Sequence, residues 1–161
     1  KIDGDNSNEL LSGKGFERSC ALTKDQMYTF ITVRALAASP LFMGGDLPTS
    51  DDFSFSLITE PQMILCNQNA VTGHKAYEND KIKVWVTPKR NSEVEGWLGV
   101  FNRDELSGSK VNVDFSEVFP GCGGIELYDI WGKKQIDTVN AVLNEFIPAD
   151  GVLFAKYKLN K

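Results

Sequence analysis

The clearest periodicity in the chain begins at Thr23-Lys24-Asp25-Gln26. There the Thr23 hydroxyl can accept a backbone N–H three residues on while the Gln26 side chain reaches back to the Thr23 amide, the signature of a capping box. Met27, Phe30, Ile31, Ala35 and Ala38 then recur at three- and four-residue intervals. That spacing predicts a helix with one apolar face laid against a sheet, and with Arg34 at the edge of that face in a structural salt bridge. Ser39-Pro40 should end it, because the residue before a proline is pushed out of the α region. Leu41, Phe42 and Met43 follow as a short apolar run without polar alternation, the pattern of a strand buried on both faces. Gly44-Gly45 closes the run, which places Asp46 just past the strand's carboxyl end. In a parallel α/β barrel that rim is where active sites are built.

Residues 1–22 are polar and rich in Gly, Ser and Asn, which reads as a loop. Asp3, Asp5 and Ser7 sit at calcium-loop spacing, but Asn8 stands where such a loop needs glycine and Lys14 where it needs glutamate. After Asp46, Pro48 to Asp52 combines a turn proline with helix-capping residues, and Phe53 to Ile58 predicts a short helix. Asp51 and Asp52 are expected to cap that helix and serve its dipole rather than to form a catalytic dyad. Pro61 suits the first turn of a further helix, continued by Gln62 to Cys66, because its missing N–H would have had no partner there.

From about His74 the pattern changes to short alternating runs separated by turn residues, the sign of an antiparallel sandwich. Ile82, Val84 and Val86 alternate with Lys81, Lys83 and Trp85, so one face looks to a core. Further strands are predicted at Trp97 to Phe101, Val111 to Phe115, Ile125 to Trp131, Ala141 to Phe146 and Val152 to Leu159.

Composition narrows the function classes. A 42% hydrophobic share over 161 residues is that of a globular chain, and 17 basic against 22 acidic residues give a formal charge of -5. That balance carries no electrostatic footprint for nucleic acid or an anionic membrane. No apolar run approaches the length that spans a bilayer, and Lys1 is neither an initiator methionine nor a signal-peptide start, so the beginning reads as processed or cut. Cys20, Cys66 and Cys122 are odd in number and widely spaced, which suggests buried free thiols rather than a disulfide framework or a zinc site. His74, the only histidine, has no thiol or acid at catalytic spacing and reads as a surface or boundary residue. Trp85, Trp97 and Trp131 could form a sugar-stacking platform, but tryptophans in such strands usually fill a core.

The run Ala37-Ala38-Ser39-Pro40-Leu41-Phe42-Met43-Gly44-Gly45-Asp46-Leu47 resembles the last barrel strand of the α-galactosidase and α-N-acetylgalactosaminidase glycoside hydrolases. Asn67 to Gly73 is similar to the segment after that family's final barrel helix, with Asn69 for its acid and Ala70 for its proline. Gly96 to Arg103, Val111 to Phe115, Leu127 to Lys133 and Pro148 to Phe154 resemble its carboxy-terminal sandwich in order and spacing.

The fold that the resemblance implies is α/β plus all-β: residues 1–75 as the last helix, strand and helix of a (β/α)8 barrel, and residues 76–161 as an antiparallel β-sandwich. It implies a retaining mechanism on α-galactosyl-type substrates, in which an aspartate nucleophile and an aspartate acid/base about 5 Å apart flank the scissile bond. Neither of the family's settings for these aspartates occurs here, and Lys1 would fall beyond both. No catalytic residue is therefore expected in this chain. Asp46 and Arg18 are the candidates for shaping the substrate rim, with no metal and no cofactor. The implied partners are a carbohydrate substrate and the remainder of the barrel, or another chain, packed on residues 1–75. The family favours a secreted or periplasmic location. The alternative from a different class is a non-catalytic sandwich that binds carbohydrate or a partner.

Overall fold

A computed structural model describes residues 20–42, 48 and 50–160. Three helices come first: α1 (Lys24–Leu36), α2 (Asp52–Ile58) and α3 (Pro61–Gln68). Eight strands follow, β1 (His74–Glu78), β2 (Ile82–Pro88), β3 (Glu95–Asn102), β4 (Ser109–Asp114), β5 (Gly124–Asp129), β6 (Lys134–Ile136), β7 (Val142–Ile147) and β8 (Val152–Asn160), with a helical turn α4 (Phe115–Val118) between β4 and β5. Six strands form one sheet in the order β1-β2-β3-β8-β5-β6, and β4 pairs with β7 in a second. Every pairing is antiparallel.

The period-2 geometry of strands assigns the two faces of the large sheet. Val84, Leu98, Val100, Leu127 and Ala155 join Val111, Val113 and Leu143 of the small sheet in the sandwich core. On the other face Trp97, Phe101 and Phe154 join Ala35 and Leu36 of α1 and Met63 and Cys66 of α3 in a second core. Strand β3 is covered on both sides, which is why Trp97 to Phe101 reads as an unbroken apolar run.

Helix α1 starts with the expected capping box, Gln26 N–H donating to Thr23 Oγ1 at 3.2 Å and Thr23 N–H to Gln26 Oε1 at 3.0 Å. A row of polar bonds runs along its seat on the sandwich, beside buried Ala35 and Leu36. Gln26 Nε2 donates to Asp150 Oδ2 (2.8 Å), Thr29 Oγ1 to the Asp150 carbonyl (2.6 Å), and Trp131 Nε1 to Thr32 Oγ1 (2.9 Å). At the helix end the Leu36 carbonyl accepts from Gly73 N–H (2.7 Å) and from Thr87 Oγ1 (2.9 Å). The approach is close enough that a Cβ on Gly73 would lie 2.7 Å from the Leu36 oxygen and collide with Thr87 Oγ1, so the site requires glycine.

Several expectations need correction. The buried face of α1 is Thr32, Ala35 and Leu36, whereas Phe30 is 49% exposed. The helix ends at Leu36, with Ala38 at φ 48° beyond it, before the proline could act. Leu41 and Phe42 lie in no strand. A strand exists only through a neighbour that satisfies its N–H and C=O groups, and among the described residues no parallel neighbour is present. Met43 lies outside the described residues, as does the Asp3-Asp5-Ser7 segment.

In the sandwich, Phe115 does not extend β4. Asp114 Oδ1 accepts Ser116 N–H at 2.9 Å and turns the chain into α4, burying the Phe115 ring. Ile130 and Trp131 fall in a turn beyond β5. Ala141, at φ 60°, precedes β7. The short polar strands β1 and β6 carry no apolar signal and are found only by their pairing. Of the cysteines, Cys66 is buried, Cys122 half-buried and Cys20 exposed, all as free thiols.

Replacing Thr32 by valine leaves the Trp131 indole N–H without its acceptor, for an expected loss of about 1–3 kcal/mol. Leu36→Ala is expected to cost about 2–5 kcal/mol through lost burial and a residual cavity. Both should lower the urea midpoint at unchanged slope. An unshifted midpoint in Thr32→Val would show that the row of polar bonds does not hold the helix.

Candidate functional site

Helix α1 turns large apolar groups away from the sandwich. Phe30 and Val33 are 49% and 46% exposed, and Leu41 and Phe42, just beyond the helix, 39% and 88%. Phe30, Leu41 and Phe42, with Ile31 and with Ile58 of α2, line a groove of about 440 Å³, which Arg34 also lines. The expected salt bridge of Arg34 is absent among the described residues. Its guanidinium lies instead over the Phe30 ring, 5.1 Å from the centroid, in a cation–π contact. A helix that buries Ala35 and Leu36 on one side and still carries exposed Phe30 and Val33 on the other departs from the usual arrangement, in which the free face is polar.

The two rim candidates, Asp46 and Arg18, both lie outside the described residues. Asp51 caps α2 as expected: its Oδ1 accepts Ser54 N–H at 2.6 Å, and hydrogen bonding by the Ser54 side chain, with that N–H next, holds the carboxyl below its ordinary pKa. Asp52 lies in the first turn of the same exposed helix. His74 opens β1 at the surface, opposite Val86. Among the described residues no group of three or more His, Cys, Asp or Glu side chains could hold a metal ion.

The tryptophans are structural, in the second core rather than in the sandwich's own. Trp97 is 4% exposed, while Trp85 and Trp131 are half-buried against the same cluster. Trp131 stacks with Tyr28 at 5.0 Å and Phe154 at 5.7 Å. The indole N–H of Trp97 is buried and has no hydrogen-bond partner among the described residues.

The turn that presents Trp131 was not legible as a feature. Asp129 accepts the Trp131 N–H at 3.1 Å and also bonds the Gly132 N–H, and a Cβ on Gly132 would collide with Asp129 Oδ2. From the same turn Lys133 reaches across to Glu60, the 8% exposed residue that caps α3. The Leu-Tyr-Asp-Ile-Trp-Gly-Lys run thus fastens the helical layer to the sandwich at two points, which single-residue patterning could not reveal.

Of three comparisons with known proteins, two find relatives. No family model matches the chain. α-Galactosidase 2 of Arabidopsis thaliana is 29% identical over 129 residues, 78% of this chain and 32% of that protein. The α-galactosidase of Coffea arabica is 24% identical over 131 residues, 80% and 34% respectively. Among solved structures, the family 27 glycoside hydrolase β-L-arabinopyranosidase of Geobacillus stearothermophilus superposes with a TM-score of 0.77 at 25% identity, over 92% of this chain and 33% of that one. α-Galactosidase I of Mortierella vinacea gives 0.75 at 18% identity, over 84% and 36%. The chain spans about a third of the length of the curated relatives it matches.

Burial raises the Asp129 carboxyl pKa, against the lowering effect of the two turn N–H bonds and of Lys134. A raised folded value means that this group favours the native state most below the ordinary carboxylate range, near pH 4, and that the contribution is lost as pH rises through the folded value. Asp129→Asn keeps an acceptor for the turn and removes the titration. Urea unfolding of the two proteins at several pH values should show the wild type losing stability relative to the variant as pH rises from about 4. A difference that stays constant with pH would refute this.

Proposed function

We propose that this chain, a homologue of the carboxy-terminal part of the family 27 α-galactosidases, is the sandwich and closing segment of a retaining glycoside hydrolase acting on terminal α-galactosyl-type linkages. Residues 1–75 belong to the enzyme's barrel and residues 76–161 to its sandwich. The catalytic aspartates come from polypeptide outside this sequence. The observation that carries the reading is that α1 is apolar on both sides: Ala35 and Leu36 are buried against the sandwich beside a row of polar bonds, while Phe30, Val33, Leu41 and Phe42 are left facing outward. An apolar surface of that kind is the mark of an interaction site, and the remainder of the barrel is the occupant that the relatives' greater length supplies.

In this reading the chain contributes no acid, base or nucleophile. It fixes the rim from behind. The bonds from Thr29 and Thr32, together with the doubly bonded Leu36 carbonyl, set the direction in which the chain leaves α1 toward residues 43–47, where Asp46 would shape the pocket. A displacement of about 1 Å at such a support is enough to cost catalysis on the order of 10²-fold.

Purified alone, the chain is expected to hydrolyse 4-nitrophenyl α-D-galactopyranoside no faster than buffer. The longer polypeptide encoded by the reading frame containing these residues should cleave it, or its β-L-arabinopyranoside counterpart, with retention of configuration at the anomeric carbon. Turnover by the chain alone would place the active carboxylates among its own aspartates and overturn the proposal. Inversion in the longer protein would contradict the retaining mechanism.

A further inference from the structure

On the helix-bearing face of the large sheet, beyond the area that α1 and α3 cover, strand register brings a second group of side chains together. Glu95 of β3 stands opposite Lys158 of β8, and Lys158 opposite Glu126 of β5. One step along, Lys156 of β8 stands opposite Tyr128 of β5, and Tyr128 opposite Gln135 of β6. These six residues line a concavity of about 170 Å³. Leu127 and Tyr157, whose side chains belong to the sandwich core on the other face, border it along β5 and β8.

Facing charges in such rows ordinarily pair across strands. Here they do not. Among the described residues, the side chains of Glu126, Tyr128, Gln135, Lys156 and Lys158 make no hydrogen bond and no ion pair. Only Glu95 is engaged, with Lys89 at 2.6 Å on the rim. The hydrogen bond from Lys89, with weaker help from Lys156 and Lys158, holds the Glu95 carboxyl below its ordinary range, so it remains an acceptor near neutrality.

We propose that this concavity is a binding site for one neutral hexopyranose unit. Two lysines and two glutamates leave no net charge with which to select an ion. Separated donors and acceptors instead suit vicinal hydroxyls, each of which both donates and accepts. Lys156, Lys158 and Gln135 donate, Glu95 and Glu126 accept, and the half-open Tyr128 ring, 37% exposed, offers an apolar surface to the C–H face of the sugar. The volume lies below the range of sites for drug-sized ligands and limits occupancy to a single ring. The site binds without cleaving. Glu95 and Glu126 flank β8 at two strand spacings, roughly 10 Å, against the ~5–5.5 Å that a retaining carboxylate pair requires. The assignment rests on this geometry alone and stands whether or not a longer polypeptide hydrolyses galactosides.

The test is a titration of the whole chain with methyl α-D-galactopyranoside and, separately, methyl α-D-glucopyranoside, followed by amide chemical shifts. Saturable binding of at least one of them at millimolar concentration is expected, with the largest shifts on β5 and β8. Glu126→Gln combined with Lys156→Met should weaken it tenfold or more, while Asn112→Ala, in the small sheet, should leave it unchanged. The spectra themselves report whether each variant is folded, and Gln135→Ala provides a milder second variant, expected to weaken binding severalfold. No saturation by either sugar, binding that survives the double substitution, or full competition by glycine or inorganic phosphate would each overturn the proposal.

Discussion

The doubly bonded carbonyl of Leu36 is the joint on which the rest of the molecule depends. A helix C-terminus leaves carbonyls unpaired, and one buried without partners would destabilise the junction. Here the sandwich supplies both partners, Gly73 N–H at 2.7 Å and Thr87 Oγ1 at 2.9 Å, the second from a fully buried side chain on β2. The approach is possible only because residue 73 lacks a Cβ. With that end pinned, the bonds of Gln26 and Thr29 to the Asp150 turn and of Thr32 to Trp131 fix the rotation of α1. Rotation in turn decides which side chains face out.

From this constraint the functional reading follows in order. The sandwich is complete as a packed body, with both faces of β3 buried and a continuous core between its sheets. The helical layer is complete only on its inner side. Its outer side presents a 440 Å³ groove of Phe, Ile and Leu with a lone guanidinium stacked over it. On the proposed reading, the rest of a larger enzyme would cover this outer side. In the proposal above, the polar concavity beside the helices takes a different occupant, because among the described residues its polar side chains other than Glu95 make no hydrogen bond or ion pair.

How much of this the sequence conveys depends on whether a signal is local. The capping box at Thr23, the cap at Asp51 and proline at the start of α3 are set by hydrogen bonds within four residues, and all three stand as read. Strands β2 and β3 are legible because one strongly covered face leaves an alternating trace and two covered faces an unbroken apolar run. The orientation of α1 was not. Its apolar residues suggested a face buried on a sheet, whereas tertiary bonds from Thr29 and Thr32 turned a more polar face inward. Leu41 and Phe42 failed for a related reason: strand character is a property of a pair, and the pairing element is not among the described residues. The concavity was likewise hidden, since Glu95, Glu126 and Lys158 meet only through the non-sequential order β3-β8-β5.

The central claim is that α1 folds as part of the sandwich body and not as an appendage. Native-state hydrogen exchange of the chain by itself tests this most directly, because amides that open only with the global transition share its free energy. The amides of residues 28–36 in α1 should exchange through the same opening as those of Leu98 and Val100 in β3. Exchange in α1 at near-unfolded rates, with the β3 amides still protected, would contradict the account.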